Sequence, residues 1–244
     1  MSYRKKINKI STNKKKNKKR KTNKNQIHKG SGVPTIAIFY SGRIKGFQHK
    51  KNSHIKQNQL YKAIIFVSLN QKEEDHIAKE FRNTFNISDD RVNYEETPYP
   101  KELYTLDKSL VPVYENCYSQ FYHNKKCFDL IEKYQNNNNM VFDVIIKQRC
   151  DIDTNDIIPI GIPEDNTIYI PEGEDNLGIN DRVAYGNYNS MKKYCDTVNN
   201  IIDMCKNQGV KYNPEIILKK QLENNNLNII RFKYETNNLI TNRK

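Results

Sequence analysis

Phe142-Asp143-Val144-Ile145-Ile146-Lys147, running directly into Gln148-Arg149-Cys150-Asp151-Ile152-Asp153, is the stretch whose reading decides the fold. A short apolar run rich in β-branched residues suits an interior strand of a parallel sheet better than a helix. In open α/β sheets, ligands bind where strands end at their carboxyl edge, so polar residues that directly follow such a run carry the most weight. The end of this strand therefore predicts a loop bearing Arg149, Asp151 and Asp153.

Working outward, Val33 to Tyr40 reads as a second buried strand that stops at Ser41-Gly42, and Ala63 to Leu69 as a third. A helix is predicted after it, because Ile77, Ala78, Phe81 and Phe85 fall on one face. Cys117, Tyr118, Phe121, Phe128 and Ile131 recur at helical spacing between Tyr114 and Tyr134, and the asparagines from Asn136 to Asn139 break that helix. Thr167 to Ile170 is a further strand. Met191, Tyr194, Cys195, Val198, Ile201, Ile202 and Cys205 predict one long amphipathic helix. Asn213-Pro214-Glu215 reads as an N-cap with proline at the first helical position, opening a helix to about Leu222, and Asn228 to Tyr234 reads as a closing strand. Strands alternating with helices imply an α/β fold with a mainly parallel central sheet covered on both faces. No internal repeat interrupts it.

The 244 residues carry 41 Lys and Arg against 28 Asp and Glu, a formal charge of +13. Residues 1–30 hold 13 of those basic residues and no acid, so the remainder is balanced at 28 against 28. Residues 1–32 are therefore expected to form a disordered basic arm, with Lys14 to Lys21 kept extended by self-repulsion, and residues 33–244 to form the folded domain. The global pI of about 9.3 points to polyanions only through that arm. Contact with a polyanion through residues 1–30, a nuclear-localisation-like role and simple solubilisation all remain open readings of it. The five cysteines lack a CxxC pair, which argues against a disulfide framework or a zinc ribbon and for a reducing compartment. No apolar run approaches the ~20 residues of a bilayer span. These features predict a protein of the cytoplasm, that of a host cell if the chain is viral, with nuclear or virion association as alternatives.

Two carboxylates one residue apart on an extended turn, Asp151 and Asp153, can both face a hard cation that keeps positions open for phosphate oxygens. Such a cation neutralises charge on a departing diphosphate. Arg149 adds either a bidentate phosphate contact or a clamp on the carboxylates. The tripeptide alone reads more readily as a solvated turn or an N-cap, and its place directly after a buried strand near mid-chain is what favours the metal reading. Ser41-Gly42-Arg43-Ile44-Lys45-Gly46 follows the other strand, with glycines that admit close backbone approach and cations that suit a nucleotide diphosphate, though a plain surface turn reads as well. It matches neither the P-loop nor the dinucleotide fingerprint. Gly178 to Gly186 reads as a polar cluster between regular elements, with Asp181 either a general base or a partner of Arg182.

Taken in order, Phe39-Tyr40-Ser41-Gly42-Arg43, the Tyr-rich helix around Tyr118 to Phe128, Arg149-Cys150-Asp151, Asn180-Asp181-Arg182-Val183-Ala184-Tyr185-Gly186 and Asn213-Pro214-Glu215 make the chain resemble the GT-A-like glycosyltransferases of the DxD type found in bacteria and large DNA viruses. The resemblance covers about residues 33–234. It implies a Rossmann-like GT-A fold and transfer of a hexosyl or pentosyl group from a UDP- or GDP-sugar to a hydroxyl of a glycan or protein acceptor. It also implies Mn²⁺ or Mg²⁺ held by Asp151 and Asp153, donor contacts from Ser41, Gly42, Arg43, Arg149 and Asp151, and Asp181 as the base. One departure is plain: the histidines, at 28, 49, 54, 76 and 123, all precede the DxD, so none can complete a metal shell from downstream. The competing reading is a nucleic-acid-associated or virion structural protein acting through its basic arm, with an inactive α/β scaffold. A phosphoryl or nucleotidyl transferase using the same carboxylates is a third.

Overall fold

A computed structural model describes residues 33–44, 46–70, 75–105, 111–154, 157–234 and 236–237, with the side chains of 75, 111–112, 153–154 and 236–237 outside the description. The chain divides into residues 1–33 and 34–244. The expected basic arm lies outside the described residues, as does Lys45.

The second unit is built on a seven-stranded sheet. In chain order its elements are β1 (Ile36–Ser41), α1 (Phe47–Tyr61), β2 (Ile64–Asn70), α2 (Asp75–Phe85), β3 (Val92–Glu95), α3 (Val111–Asn138), β4 (Val144–Gln148), β5 (Asp153–Thr154), β6 (Thr167–Pro171), β7 (Val183–Gly186), α4 (Tyr188–Cys195), α5 (Thr197–Asn207), α6 (Pro214–Asn224), β8 (Asn228–Phe232) and β9 (Thr236–Asn237). The sheet runs β3-β2-β1-β4-β7-β6-β8, and β5 pairs with β9 in a separate ribbon. Strands β3, β2, β1 and β4 are mutually parallel, β7 is antiparallel to both β4 and β6, and β6 is parallel to β8. The α/β class and the mainly parallel sheet with helices on both faces are thus as expected.

Period-two alternation sorts the strand side chains between two cores. Ala37 and Phe39 of β1, Phe66 of β2 and Ile145 of β4 pack beneath α3 to α6, against Phe121, Phe128, Met191, Ile201 and Leu218. Ile36, Ile38 and Tyr40, with Val67 and Ile146, face the other way, against Phe47 of α1 and Phe81 of α2. Full burial of a side chain such as Phe39 stabilises the fold by about 2–3 kcal/mol.

Three local expectations are corrected. The first strand begins at Ile36 rather than Val33, which is 85% exposed. The long helix expected from Met191 to Cys205 is two helices that meet at Asp196. There the Thr197 hydroxyl donates to the Tyr194 carbonyl at 2.6 Å, a back-bond that bends a helix. The segment expected to be a polar cluster up to Gly186 ends in β7, whose four residues are all buried where it inserts antiparallel between β4 and β6.

Helix α1 shows how the fold supports the carboxyl edge of its sheet. Its inward face is Phe47, Lys50, His54 and Gln57, an almost wholly polar stripe. His54 lies 3.2 Å through Nε2 from the Cys150 carbonyl, and Gln57 donates to Gln148 Oε1 at 2.6 Å. These bonds tie α1 to the end of β4 and to the turn that carries Asp151.

Candidate functional site

The carboxyl ends of β1, β2 and β4 open into one cleft of about 380 Å³, lined from those ends by Ser41, Gly42, Arg43, Asn70, Arg149 and Asp151. Its far wall is Tyr99 and a polar face of α3, comprising Glu115, Asn116, Ser119 and Gln120. The strand-end rule explains the convergence: β1 and β4 pair in parallel from Ile36↔Val144 to Tyr40↔Gln148, so whatever follows Tyr40 and Gln148 emerges side by side.

Gly42 turns the chain out of β1 with φ +85, a left-handed value that glycine adopts without strain. Its N–H donates to the Ser68 carbonyl at 3.1 Å, which fixes the turn against the end of β2. A Cβ at Gly42 would meet nothing within 4 Å, so dihedral angle rather than space selects glycine there. The Ser41 hydroxyl is bonded to Asn124 of α3. Arg43, exposed, donates through Nη2 to Asn116 Oδ1 at 2.6 Å, leaving its remaining guanidinium donors for the cleft.

At β4, Arg149 clasps Asp151 in a fork, with Nε to Oδ1 at 2.9 Å and Nη2 to Oδ2 at 2.6 Å. The two side chains are 35% and 31% exposed. Burial by itself would raise the Asp151 carboxyl, but the Arg149 guanidinium outweighs it and holds the group below the usual carboxylate range. Burial likewise opposes the charge on Arg149, and the bonds to Asp151, together with the Asp181 and Glu215 charges, more than restore it.

Asp181 lies one layer below the cleft and is 4% exposed. Its Oδ2 accepts from Gln120 Nε2 at 2.5 Å, and its Oδ1 stands 4.0 Å from Arg149 Nη1. Beneath it Lys147, wholly buried, donates to the carbonyls of Asp181 and, at 3.3 Å, Arg182. Burial pushes the Lys147 ammonium down to about 8, with the Asp181 charge partly opposing. Arg149, Asp181, Gln120 and Lys147 thus form a connected polar floor.

The structure brings Ser41, Gly42, Arg43, Arg149 and Asp151 to a single cleft and places Asp181 under it. The side chain of Asp153 lies outside the described residues; its backbone pairs with Asn237. Among the described residues no group of three or more His, Cys, Asp or Glu is placed to hold a metal ion. At the strand edge the described carboxylate is Asp151, both of whose oxygens already accept from a guanidinium, while Glu115 stands on the far wall and accepts from the Tyr104 hydroxyl at 3.0 Å. A divalent cation fits this edge only if Asp153 joins Asp151 and phosphate oxygens fill the remaining positions.

Sequence reading does not single out Asn70, Glu115 or Asn116, and it takes in Ser119 and Gln120 only as part of the Tyr-rich helix and Tyr99 only as part of the tyrosine-bearing loop from Tyr94 to Tyr104, where a general abundance of tyrosine is the favoured reading over sugar stacking. Asn70 is reached by applying to β2 the rule already applied to β1 and β4. Asn116, Ser119 and Gln120 stand at i, i+3 and i+4, a polar stripe with helical period on a different face from the buried Cys117, Phe121 and Phe128, which is a signal of the same kind as an apolar one.

Residues 104–244 match the family model described as a domain of unknown function, DUF7796. The chain belongs to that family. The DUF7796 segment contains α3, Arg149, Asp151 and Asp181, whereas Ser41, Gly42, Arg43, Asn70 and Tyr99 precede it. No curated protein matches the sequence. Among solved structures, the chain is similar to the glycosyltransferase GlyE of Streptococcus pneumoniae TIGR4, with 11% identity and a TM-score of 0.43 over 82% of this chain and 46% of that one. The apo form of the same protein gives 11% identity and a TM-score of 0.42 over 81% and 45%. The chain thus spans less than half the length of those relatives. Among the described residues no helix is long and apolar enough to cross a membrane.

Proposed function

We propose that this cleft binds a nucleotide-sugar and that the chain transfers its glycosyl group to a hydroxyl acceptor. The observation that carries the reading is the convergence of Arg43 and Arg149, from two strand ends, on a cleft whose first wall is a glycine turn. Two guanidinium groups facing one space suit a diphosphate, because each offers a planar fork of donors to phosphate oxygens. In the transfer, the bond between the anomeric carbon and the phosphate oxygen breaks, the acceptor oxygen takes its place on that carbon, and the acceptor proton passes to the departing diphosphate. Charge grows on the departing diphosphate, where fixed cations lower the barrier most.

Arg149 has two partners to choose between. With the cleft empty it neutralises Asp151; with a diphosphate present it can turn one edge of its fork to phosphate. Asp181, expected from the sequence as the base, is assigned the part of ordering Gln120 and Arg149, since both of its oxygens face those groups and it has almost no exposed surface. Mn²⁺ or Mg²⁺ at Asp151 and Asp153 remains part of the proposal, and when bound it would supply further positive charge at the diphosphate.

The test is sugar release from a panel of UDP- and GDP-sugars, with and without Mn²⁺, by the full chain and by Arg43→Ala. Loss of one charge-assisted contact should raise KM about 10- to 100-fold. Turnover of no donor, or equal turnover in an Asp151→Ala, Asp153→Ala protein, overturns the reading.

A further inference from the structure

A chain of hydrogen bonds runs from the sheet to the α3 wall of the cleft. His123 of α3 is fully buried. Its Nδ1 lies 2.8 Å from Ser68 Oγ at the end of β2, and its Nε2 lies 3.1 Å from Thr97 Oγ1. Thr97 Oγ1 is in turn 2.8 Å from Ser119 Oγ and accepts from Asn70 Nδ2 at 3.4 Å. Ser119 and Asn70 are both cleft residues.

Proton accounting gives this chain a direction. Asn93 Nδ2 lies 3.2 Å from Glu95 Oε1, and a carboxylate can only accept, so the nitrogen of the Asn93 amide must face that side. The same nitrogen donates to Ser68 Oγ at 3.0 Å. Ser68 therefore already accepts one bond, and among the described residues its only other partner is His123. Were Nδ1 protonated, Ser68 would accept twice and its own proton would have no acceptor in a site with no exposed surface. The satisfied arrangement has Ser68 donating to Nδ1, Nε2–H donating to Thr97, and Thr97 donating to Ser119. Ser119 then keeps its own proton for the cleft.

We propose that His123 is a positioning residue that fixes this direction, so that Ser119 meets the cleft occupant as a hydrogen-bond donor and selects an occupant bearing an acceptor atom, such as a carbonyl oxygen, at that wall. The ring of Tyr99, at 6.1 Å from that of Tyr118, lines the same wall, so a planar heterocycle carrying a carbonyl is the chemical class that fits. This inference rests on the reading of the cleft as a nucleotide site for the nature of its occupant, but not for the direction of the chain. A cation at His123 would reverse it by making both ring nitrogens donors. Burial keeps the ring neutral by lowering its pKa from 6.5 to about 4, with the Glu95 charge opposing and the Lys126 charge assisting.

The test has two arms on the full chain. In the first, two-bond ¹H–¹⁵N correlation of ring-labelled His123 should show the Nε2–H form unchanged from pH 8 to pH 5.5; the Nδ1–H form, or an imidazolium at pH 6, overturns the proposal. In the second, UDP affinity is measured by calorimetry for Ser119→Ala, Thr97→Val, His123→Gln and the double variant His123→Gln, Ser119→Ala. Ser119→Ala and Thr97→Val should each weaken UDP about three- to tenfold, the worth of one hydrogen bond. His123→Gln should add nothing in the Ser119→Ala background, because His123 acts through Ser119. Additive losses overturn the positioning role, and Thr97→Val serves where His123→Gln fails to fold. If the unaltered chain does not bind UDP, the nucleotide reading of the cleft falls, while the tautomer still decides the direction of the chain.

Discussion

Replacing Lys147 by methionine isolates one buried charge under the cleft. The ammonium is wholly buried and donates to the carbonyls of Asp181 and Arg182, and its folded pKa of about 8 lies below the ordinary 10.5. The shift is caused first by burial, offset in part by the Asp181 and Asp151 carboxylates and reinforced by Arg149. The unfolded chain therefore binds a proton more tightly than the folded one, so the stability of the native protein should rise with pH between about 8 and 10.5 on account of this group. From pH 7 to pH 10 the gain works out at about 2.5 kcal/mol, at about 1.36 kcal/mol per pH unit and with saturation at both ends. Lys147→Met removes that titration. It also deprives the Asp181 carbonyl of its donor, at about 1–3 kcal/mol. The Arg182 carbonyl keeps the Arg149 N–H at 3.2 Å. Near pH 7 the two costs roughly cancel, and the variant should be within about 2 kcal/mol of the unaltered chain. At pH 10 it should be the less stable protein by a margin about 2.5 kcal/mol larger in the direction of the lysine form. Urea denaturation of both proteins at pH 7, 8, 9 and 10 measures the difference, and the tyrosines that titrate in this range cancel between them. A constant difference across the four pH values would refute the buried, depressed ammonium.

Three further outcomes are expected. Gly178→Ala should destabilise by at least about 2 kcal/mol in urea, as its Cβ would lie 2.1 Å from the Glu215 carbonyl carbon and force apart the Ile179–Glu215 backbone bond; stability within 0.5 kcal/mol, in order-of-magnitude terms for a surface site, would contradict that contact. Arg149→Gln frees both oxygens of Asp151, so Mn²⁺ binding followed by paramagnetic resonance should tighten about threefold or more, since charge-assisted bonds to the carboxylate are lost; weaker binding would show that the guanidinium does not compete with a cation. Asn213→Ala removes the Oδ1 acceptor of the Ile216 N–H at 3.0 Å and should cost about 1 kcal/mol without altering sugar release.

The elements legible in the sequence are those whose burial is simple. β1, β2 and β4 are buried on both faces and read as short apolar runs, Ile36 to Tyr40, Ile64 to Val67 and Val144 to Ile146, and α6 shows its asparagine cap and its proline in the order that its first turn requires. What escaped reading is what only tertiary partners define. α1 turns Lys50, His54 and Gln57 inward, so its period is invisible on a hydrophobic scale, and its reason for burial is bonds to Cys150 and Gln148 about 90 residues on in sequence. β7 is four residues long and becomes a strand because β4 and β6 leave a gap that fits it. The site divides in the same way. Arg43, Arg149 and Asp151 follow strands and were readable from that position alone, whereas the depth of Asp181 depends on Gln120 reaching over it from α3.

That dependence also fixes where the working unit begins. The matched segment, 104–244, contains β4 but not β1, which bonds β4 along one whole edge from Ile36↔Val144 to Tyr40↔Gln148. It contains α3 but not Phe39 and Phe66, on which Phe121 and Phe128 pack. Stripped of β1 to β3, the segment would leave a parallel strand edge unpaired and an apolar face uncovered, both costly. The cleft would lose Ser41, Gly42, Arg43, Asn70 and Tyr99, and with them one of its two guanidinium groups. On the proposed reading a diphosphate would need both, because a single arginine already satisfied by Asp151 has little to gain from exchanging a carboxylate for a phosphate. Arg43, whose amide partner Asn116 is neutral, is the cation that would tip that exchange on the proposed reading, and it comes from outside the segment by which the family is recognised.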